Sequence, residues 1–84
     1  MKLGTVTGSV WATKKCPALT GQILLRVRSE GTELIAADLV GAGEGEHVIL
    51  SFGSAARLGL ESVPVDAAII GILDDSGGSG YVGR

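Results

Sequence analysis

The chain has 84 residues, enough for one small domain, and domains of this size leave much of their surface exposed after folding. It contains one cysteine and one histidine, which excludes an internal disulfide and leaves a structural zinc site short of ligands. The net charge of −2 argues against a strongly basic nucleic-acid-binding surface. Association with other chains is therefore the remaining way to stabilise so thin a core.

The N-terminal residues have no basic segment followed by an apolar stretch, so they do not resemble a signal peptide. No apolar run approaches the roughly 18 to 20 residues that a membrane-spanning helix needs. We therefore expect a soluble cytoplasmic protein with a free thiol and no membrane partner.

A first strand is predicted from Leu3 to Thr13, where small polar residues alternate with apolar residues and glycines. Gly4 and Gly8 fall on its apolar face, and glycine inside a strand often marks a bend or a close backbone approach in a small barrel. The segment from Lys14 to Pro17 ends the alternation, because proline cannot donate to a central ladder.

A second strand places Ile23, Leu25 and Val27 on one face and polar residues mainly on the other. The segment Glu30-Gly31-Thr32 is predicted to form a hairpin turn. It leads into a third strand from Leu34 to about Val40.

Residues 41–46 form a glycine-rich loop, and His47 to Phe52 form a fourth strand with alternate apolar residues on one face. One short helix is predicted after it. Ser54 is a suitable N-cap, residues 55–58 favour helix, and Gly59 stands where a helix would end.

A last strand, Ala67 to Leu73, is apolar or glycine at every position. Antiparallel sheets normally leave one face to water, so a strand without polar residues predicts a cover on its second face, supplied by a neighbouring subunit. Residues 76–84 are predicted to be a flexible Gly/Ser-rich tail beyond a single domain at 1–75. The fold class is all-β: a small five-stranded OB-like barrel with one short helix.

The glycine loop invites comparison with phosphate-binding loops, but Glu46 stands where a dinucleotide fingerprint needs its third glycine, and a strand follows rather than a helix. A tight loop with positive backbone dihedrals, at an interface, is the preferred interpretation. Asp38, Arg57 and Asp66 are either independent surface charges or an arginine paired with carboxylates across a subunit boundary.

The residues that could be catalytic lack the neighbouring residues that catalysis would require. His47 has no second histidine for a metal site, and Cys16 has no family signature around it. Ser54 has alanine where a hydrolase elbow requires glycine. The sequence therefore predicts neither an enzyme nor a cofactor or metal site.

Five segments together resemble the EutN/CcmL family, the pentameric vertex proteins of bacterial microcompartment shells. The resemblance covers the chain to about Asp75, in the family's order and spacing. The segments are Lys2-Leu3-Gly4-Thr5-Val6-Thr7-Gly8-Ser9-Val10-Trp11-Ala12-Thr13, Leu19-Thr20-Gly21, Ala37-Asp38-Leu39-Val40-Gly41-Ala42-Gly43-Glu44-Gly45-Glu46, Gly53-Ser54-Ala55-Ala56-Arg57 and Pro64-Val65-Asp66-Ala67-Ala68-Ile69-Ile70-Gly71-Ile72-Leu73-Asp74.

The resemblance implies a cyclic homopentamer that caps the five-fold corners of a shell tiled elsewhere by hexameric proteins. It also implies an axial pore, for which Gly53 and Ser54 are candidates. We expect the subunit interface to use the glycine loop, the last strand and the unexplained charges: Asp38, Gly41, Gly43, Gly45, Glu46, Arg57, Asp66, Ile70 and Ile72.

One alternative remains, an OB-like module that binds single-stranded nucleic acid or a small ligand. Nucleic-acid binding would need a basic groove and several exposed aromatic side chains, and the strand segments offer little beyond Trp11. We therefore expect no nucleic-acid partner.

Overall fold

A computed structural model describes residues 1–53 and 65–74. Five strands form one closed barrel in the spatial order β1-β2-β3-β5-β4, in which β3 and β5 are parallel and the other neighbours antiparallel. This confirms the predicted small all-β barrel. The strands are β1 (Lys2–Ser9), β2 (Leu24–Ser29), β3 (Thr32–Asp38), β4 (His47–Phe52) and β5 (Ala67–Ile72).

The connection between β1 and β2 contains a 3-10 turn at Pro17–Leu19. The described residues contain no helix that is long and apolar enough to cross a membrane. The predicted helix, with Ser54 and Arg57, and the predicted tail at 76–84 lie outside the described residues.

The core fills the inside of the barrel with aliphatic side chains from all five strands. In β2, Leu25 and Val27 are buried while Arg26 and Arg28 are exposed, as the predicted alternation requires. Burying a Val, Leu or Ile side chain contributes roughly 1.5–3 kcal/mol relative to leaving it exposed. The buried cluster consists of Val6, Leu25, Val27, Ala36, Val48, Leu50, Ala67 and Ile69.

Gly4 is required by close packing inside the barrel. A Cβ atom at this position would lie 2.6 Å from Val27 Cγ1 and 3.1 Å from Leu50 Cδ1. The close approach predicted for this glycine is confirmed. Gly8 is different, because an irregularity in the β1–β2 register between Val6 and Gly8 turns it toward Arg26. The prediction that Gly8 lies on the apolar face is therefore wrong.

The β2–β3 hairpin confirms the predicted turn. Its two loop residues, Glu30 and Gly31, have φ angles of 53° and 78°, and they connect the paired residues Ser29 and Thr32. Two consecutive residues with positive φ are typical of a type I′ turn, whose twist matches that of the strands. The buried hydroxyl of Ser29 donates a hydrogen bond of 2.7 Å to the carbonyl of Leu3.

Several strand boundaries differ from the prediction, and three of them have a clear physical reason or consequence. β1 ends at Ser9 instead of Thr13, because its pairing with β2 ends there. β2 begins at Leu24, so Ile23 precedes the strand and is 61% exposed instead of facing the core. β3 ends at Asp38 instead of Val40, because the Asp38 side chain accepts the next backbone N–H groups and turns the chain.

β5 ends at Ile72, one residue earlier than predicted, and its two halves have different surroundings. Ala67, Ala68 and Ile69 are all buried within the single chain. Ala68 forms a second small cluster with Ala37, so this half needs no neighbouring subunit to cover it. The prediction of an external cover is wrong for the first half. Ile70 and Gly71 are half-buried and Ile72 is exposed, which leaves the second half open to a partner.

Candidate subunit interface

The loop between β3 and β4 is shaped by the carboxylate of Asp38. Asp38 Oδ1 accepts hydrogen bonds from the backbone N–H groups of Val40, Gly41 and Ala42 at 3.1, 3.0 and 3.2 Å, and Oδ2 accepts from Ala42 at 2.9 Å. Hydrogen bonds that involve an ionised group are about twice as strong as neutral ones. Asp38 therefore acts within its own chain, which explains a charge that the sequence left open.

A second carboxylate holds the other end of this loop. Glu46 Oε1 accepts a hydrogen bond of 2.7 Å from the N–H of Gly43. The backbone of Gly45 and Glu46 also forms hydrogen bonds of 2.9 and 3.0 Å with Val6 of β1. The loop is thus fixed to the barrel at both ends.

Two of the loop glycines have the predicted backbone geometry. Gly41 and Gly45 have φ angles of 78° and 89°, a region that residues with a Cβ rarely adopt. Gly43 has no positive φ. The loop also contains Glu44, which is exposed and forms no ion pair or hydrogen bond within the described part of the chain.

The remaining candidate residues lie near β5. Asp66 is exposed just before the strand, and its backbone carbonyl accepts a hydrogen bond of 2.8 Å from Gly53. Gly53 is exposed, with a φ of 67°. The structure thus brings the pore candidate Gly53 beside the interface candidate Asp66. The pairing of Arg57 with a carboxylate stays a prediction, since Arg57 lies outside residues 1–53 and 65–74.

Several exposed apolar residues were not among the sequence candidates. Trp11 is 90% exposed, and Leu3 and Ile35 are 62% and 52% exposed on the outer face of the barrel. Leu3 and Ile49 line an open groove of about 480 Å³ with Met1, Lys2 and Glu30. Exposed positions on an alternating strand can be read from the sequence, but which of them lie side by side depends on strand order.

The charges are divided between two parts of the chain, a signal that was also missed. Every acidic residue lies at or after Glu30, whereas most of the basic residues precede it: Lys2, Lys14, Lys15, Arg26 and Arg28. Because β1 and β2 are neighbours in the barrel, this division places positive charge on one flank. The small net charge of the whole chain conceals it.

The chemistry-bearing side chains do not converge. Cys16 is exposed, and His47 Nδ1 lies 3.0 Å from the hydroxyl of Thr5. No group of three or more His, Cys, Asp or Glu residues is placed to hold a metal ion among the described residues. The described residues form a small barrel whose surface carries apolar and charged patches. Such a surface is typical of a protein that associates with other protein chains.

The comparisons with known proteins identify the family. The family model described as "Ethanolamine utilisation protein EutN/carboxysome" matches residues 1–74. The chain belongs to this EutN/CcmL family, as the resemblance of its segments predicted.

Three relatives show the extent of the similarity. The bacterial microcompartment shell vertex protein GrpN of Rhodospirillum rubrum is 42% identical, over 88% of this chain and 93% of the relative. The carboxysome shell vertex protein CcmL of Gloeobacter violaceus is 46% identical, over 88% and 83%. The bacterial microcompartment shell vertex protein PduN of Salmonella typhimurium is 42% identical, over 88% and 96%.

Solved structures agree with the sequence matches. A structure described as the GrpN pentameric microcompartment shell protein from Rhodospirillum rubrum superposes with a TM-score of 0.80, covering 88% of this chain and 94% of that one at 42% identity. The structure of Gloeobacter violaceus CcmL gives 0.81, covering 88% and 86% at 41% identity.

Proposed function

We propose that this chain is a structural shell protein of a bacterial microcompartment, which assembles as a cyclic homopentamer at the five-fold vertices of the shell. The observation that carries the proposal is the match to a pentameric shell protein, GrpN, at 42% identity over 88% of the chain. The closed barrel and the open second half of β5 are consistent with it.

A ring of identical subunits requires two different patches on each subunit that complement each other. In the proposed seam, the loop at 41–46 contributes its backbone surface at Gly41, Gly43 and Gly45. Asp38 and Glu46 support the seam indirectly, because their carboxylates hold the loop in shape.

The second half of β5 supplies the apolar part of the proposed seam, through Ile70 and Ile72. Asp66 lies at the start of the same strand and is available to an arginine of a neighbour. Arg57 is the proposed arginine. Gly53 and Ser54 remain the proposed lining of the axial pore.

The proposed partners at the outer rim of the ring are hexameric shell proteins. A flat sheet of hexamers closes into a polyhedron only where five-fold corners are inserted, which is the structural role proposed for this chain. No catalytic step and no cofactor belong to this role.

The experiment is a measurement of oligomer mass by native mass spectrometry and light scattering at micromolar concentration. We expect five subunits, and co-expression with hexameric shell proteins of the same gene cluster should give closed particles that contain the chain. A stable monomer would contradict the proposal. A gel-shift assay with single-stranded DNA should show no binding, whereas a clear shift would favour the alternative OB-like binding module.

A further inference from the structure

The barrel closes between β3 and β5 through two residue pairs only. The register joins Ala37 to Ala68 and Asp38 to Ile69. Every other pair of neighbouring strands has at least four paired positions. Within the described part of the chain, residues 32–36 of β3 therefore pair with β2 alone.

The unpaired edge of β3 consists of the backbone N–H and C=O groups of Glu33 and Ile35. Successive residues of a strand direct these groups to opposite edges. The N–H of Asp38 donates to the carbonyl of Ile23 at 2.8 Å, so the even-numbered residues of β3 bond toward β2. Glu33 and Ile35 then face the other edge, where neither has a backbone partner among residues 1–53 and 65–74.

This unpaired edge is open to solvent. Thr32 and Glu33 are exposed, and the side chain of Ile35 is 52% exposed. Glu33 is the only charged residue at 32–36, and its carboxylate is held away from the edge by a hydrogen bond of 3.0 Å from Thr7, across β2. A strand edge with unpaired backbone groups and no lysine or proline to protect it is a template for pairing with another chain.

An apolar pocket of about 170 Å³ lies beside the unpaired edge. It is lined by Leu19 of the 3-10 turn, by Leu24, Ile35 and Ala37 of the outer sheet face, and by residues 65–67. When a segment adds to a sheet as a strand, backbone hydrogen bonds supply affinity and a pocket for a side chain supplies specificity. The edge and the pocket together therefore form a docking site for one extended segment.

The tail at 76–84 has the composition that this site requires. Apart from glycine, its only apolar residues are Tyr81 and Val82, and both favour extended backbone. A Gly/Ser spacer at 76–80 precedes them, and the tail contains no proline, so each of its residues can donate a backbone hydrogen bond. The family match covers residues 1–74, so the tail is additional to the barrel that defines the family.

The distance along the sheet favours a tail from a neighbouring subunit. Because Ala37 is level with Ala68, Ile35 is level with position 66, and Leu73 lies seven residues, or about 23 Å, farther along β5. A tail of the same subunit would have to reverse direction and travel back over this distance. The eight residues from Leu73 to Tyr81 span at most roughly 28 Å when fully extended, which leaves too little length for the turn.

We propose that, in the assembled ring, the tail of one subunit adds as a strand to the unpaired edge of β3 in the next subunit, with the side chain of Tyr81 in the apolar pocket. This inference rests on the proposed pentamer and names a contact that joins adjacent subunits. The backbone groups of Ile35 gain partners, and its exposed side chain is covered. Each subunit gives one tail and receives one, as a head-to-tail ring requires.

The test is hydrogen exchange at single amides, followed by NMR in the wild-type chain and in the full-length variant Y81G/V82G. The docked tail should slow exchange of the Ile35 amide by about tenfold or more relative to the variant. The Asp38 amide bonds toward β2 inside the subunit, so it is the internal control and should exchange equally fast in both chains.

A matched control leaves the apolar residues of the tail in place. The variant S76G/S79G changes two tail residues to glycine, as Y81G/V82G does, but only within the spacer. It should keep the slow exchange of Ile35. A loss of protection equal to that of Y81G/V82G would show that Tyr81 and Val82 do not hold the tail on the edge.

The variant I35P tests the edge itself. Proline removes the N–H that faces the tail and leaves the hydrogen bonds between β3 and β2 in place. In native mass spectrometry over a dilution series, I35P and Y81G/V82G should both weaken the ring, whereas I35V keeps the N–H and should not. A mixture of I35P and Y81G/V82G chains should form tighter rings than either chain alone, because intact tails then meet intact edges. Circular dichroism shows whether I35P is folded, and the exchange measurement does not depend on it.

Three further results would overturn the contact. Equally fast exchange of Ile35 in the wild type and in Y81G/V82G would show that the edge stays unpaired, and equally slow exchange would show that another segment covers it. A mixture no tighter than its components would show that the tail does not bind a neighbour. A wild-type chain that is not pentameric would instead reject the proposed function itself, and the mass measurement alone reveals that result.

Discussion

The two long connections of the barrel are stabilised in different ways. The loop at 39–46, between β3 and β4, is fixed by two carboxylates and by backbone hydrogen bonds to Val6. The connection at 10–23, between β1 and β2, has backbone hydrogen bonds within its 3-10 turn and at its ends, but no side-chain hydrogen bond within the described part of the chain. Its largest side chain, Trp11, is 90% exposed.

This difference shows what Asp38 and Glu46 do for the loop between β3 and β4. A carboxylate that accepts backbone N–H groups fixes the chain path, and Ala42 of the same loop also packs against the barrel core. The basic connection, with Lys14 and Lys15, has no such support. We therefore expect substitutions in the loop at 39–46 to destabilise the subunit more than substitutions in the connection.

The largest expected effect is that of Asp38→Ala. The substitution leaves the N–H groups of Val40, Gly41 and Ala42 without their acceptor, and we expect a loss of about 2–3 kcal/mol in the free energy of unfolding. Urea unfolding followed by circular dichroism measures it, at one protein concentration because association adds to apparent stability. Asp38→Asn keeps one acceptor oxygen and should lose less. A loss below about 0.5 kcal/mol for Asp38→Ala, the range of ordinary surface substitutions, would show that the carboxylate does not hold the loop.

A smaller effect is expected from Gly45→Ala. An added Cβ meets nothing within 4 Å, so the expected loss of about 1–2 kcal/mol comes from the positive φ of 89° alone. Gly43→Ala is the matched control, because that position has no positive φ and its Cβ would make an ordinary contact of 3.5 Å with Glu46. It should change stability by less than about 0.5 kcal/mol.

Gly21→Ala is the corresponding substitution of a glycine with positive φ in the connection at 10–23. Gly21 has a φ of 86° and equally open surroundings. Because few hydrogen bonds hold this segment, its backbone can shift to relieve the strain, and we expect less than half of the loss seen for Gly45→Ala. Equal losses would mean that the two connections are equally rigid.

A sequence prediction was accurate where neighbouring residues determine the feature, and it failed where contacts between distant parts of the chain determine it. The alternation of apolar residues predicted the bounds of β4, and positive φ was correctly expected in the glycine loop. The predicted end of β3 was wrong, because the strand ends where the Asp38 side chain accepts backbone N–H groups of the loop. The predicted orientation of Gly8 was wrong, because an irregularity in the β1–β2 register changes the face on which Gly8 lies.

The candidate interface shows the same limit more strongly. Its residues were selected from the family resemblance and from charges without an obvious role, and their place in a subunit contact remains a prediction. The division of charge at Glu30 was visible in the sequence but was concealed by the net charge of −2. That Arg28 lacks an ion pair with Glu33 could not be predicted, because it depends on the hydrogen bond from Thr7.

The smallest expected effect is that of Trp11→Ser in the connection. Trp11 is the only tryptophan, so unfolding must be followed by circular dichroism instead of fluorescence. Since the side chain is 90% exposed, we expect the free energy of unfolding of the subunit to change by less than about 0.5 kcal/mol. Truncating the small carboxylate of Asp38 would then destabilise the subunit more than truncating the largest apolar side chain in the chain. A loss above about 1 kcal/mol, measured where the wild type and the variant have the same oligomeric state, would show that Trp11 packs in the native protein and that the connection is as well supported as the loop.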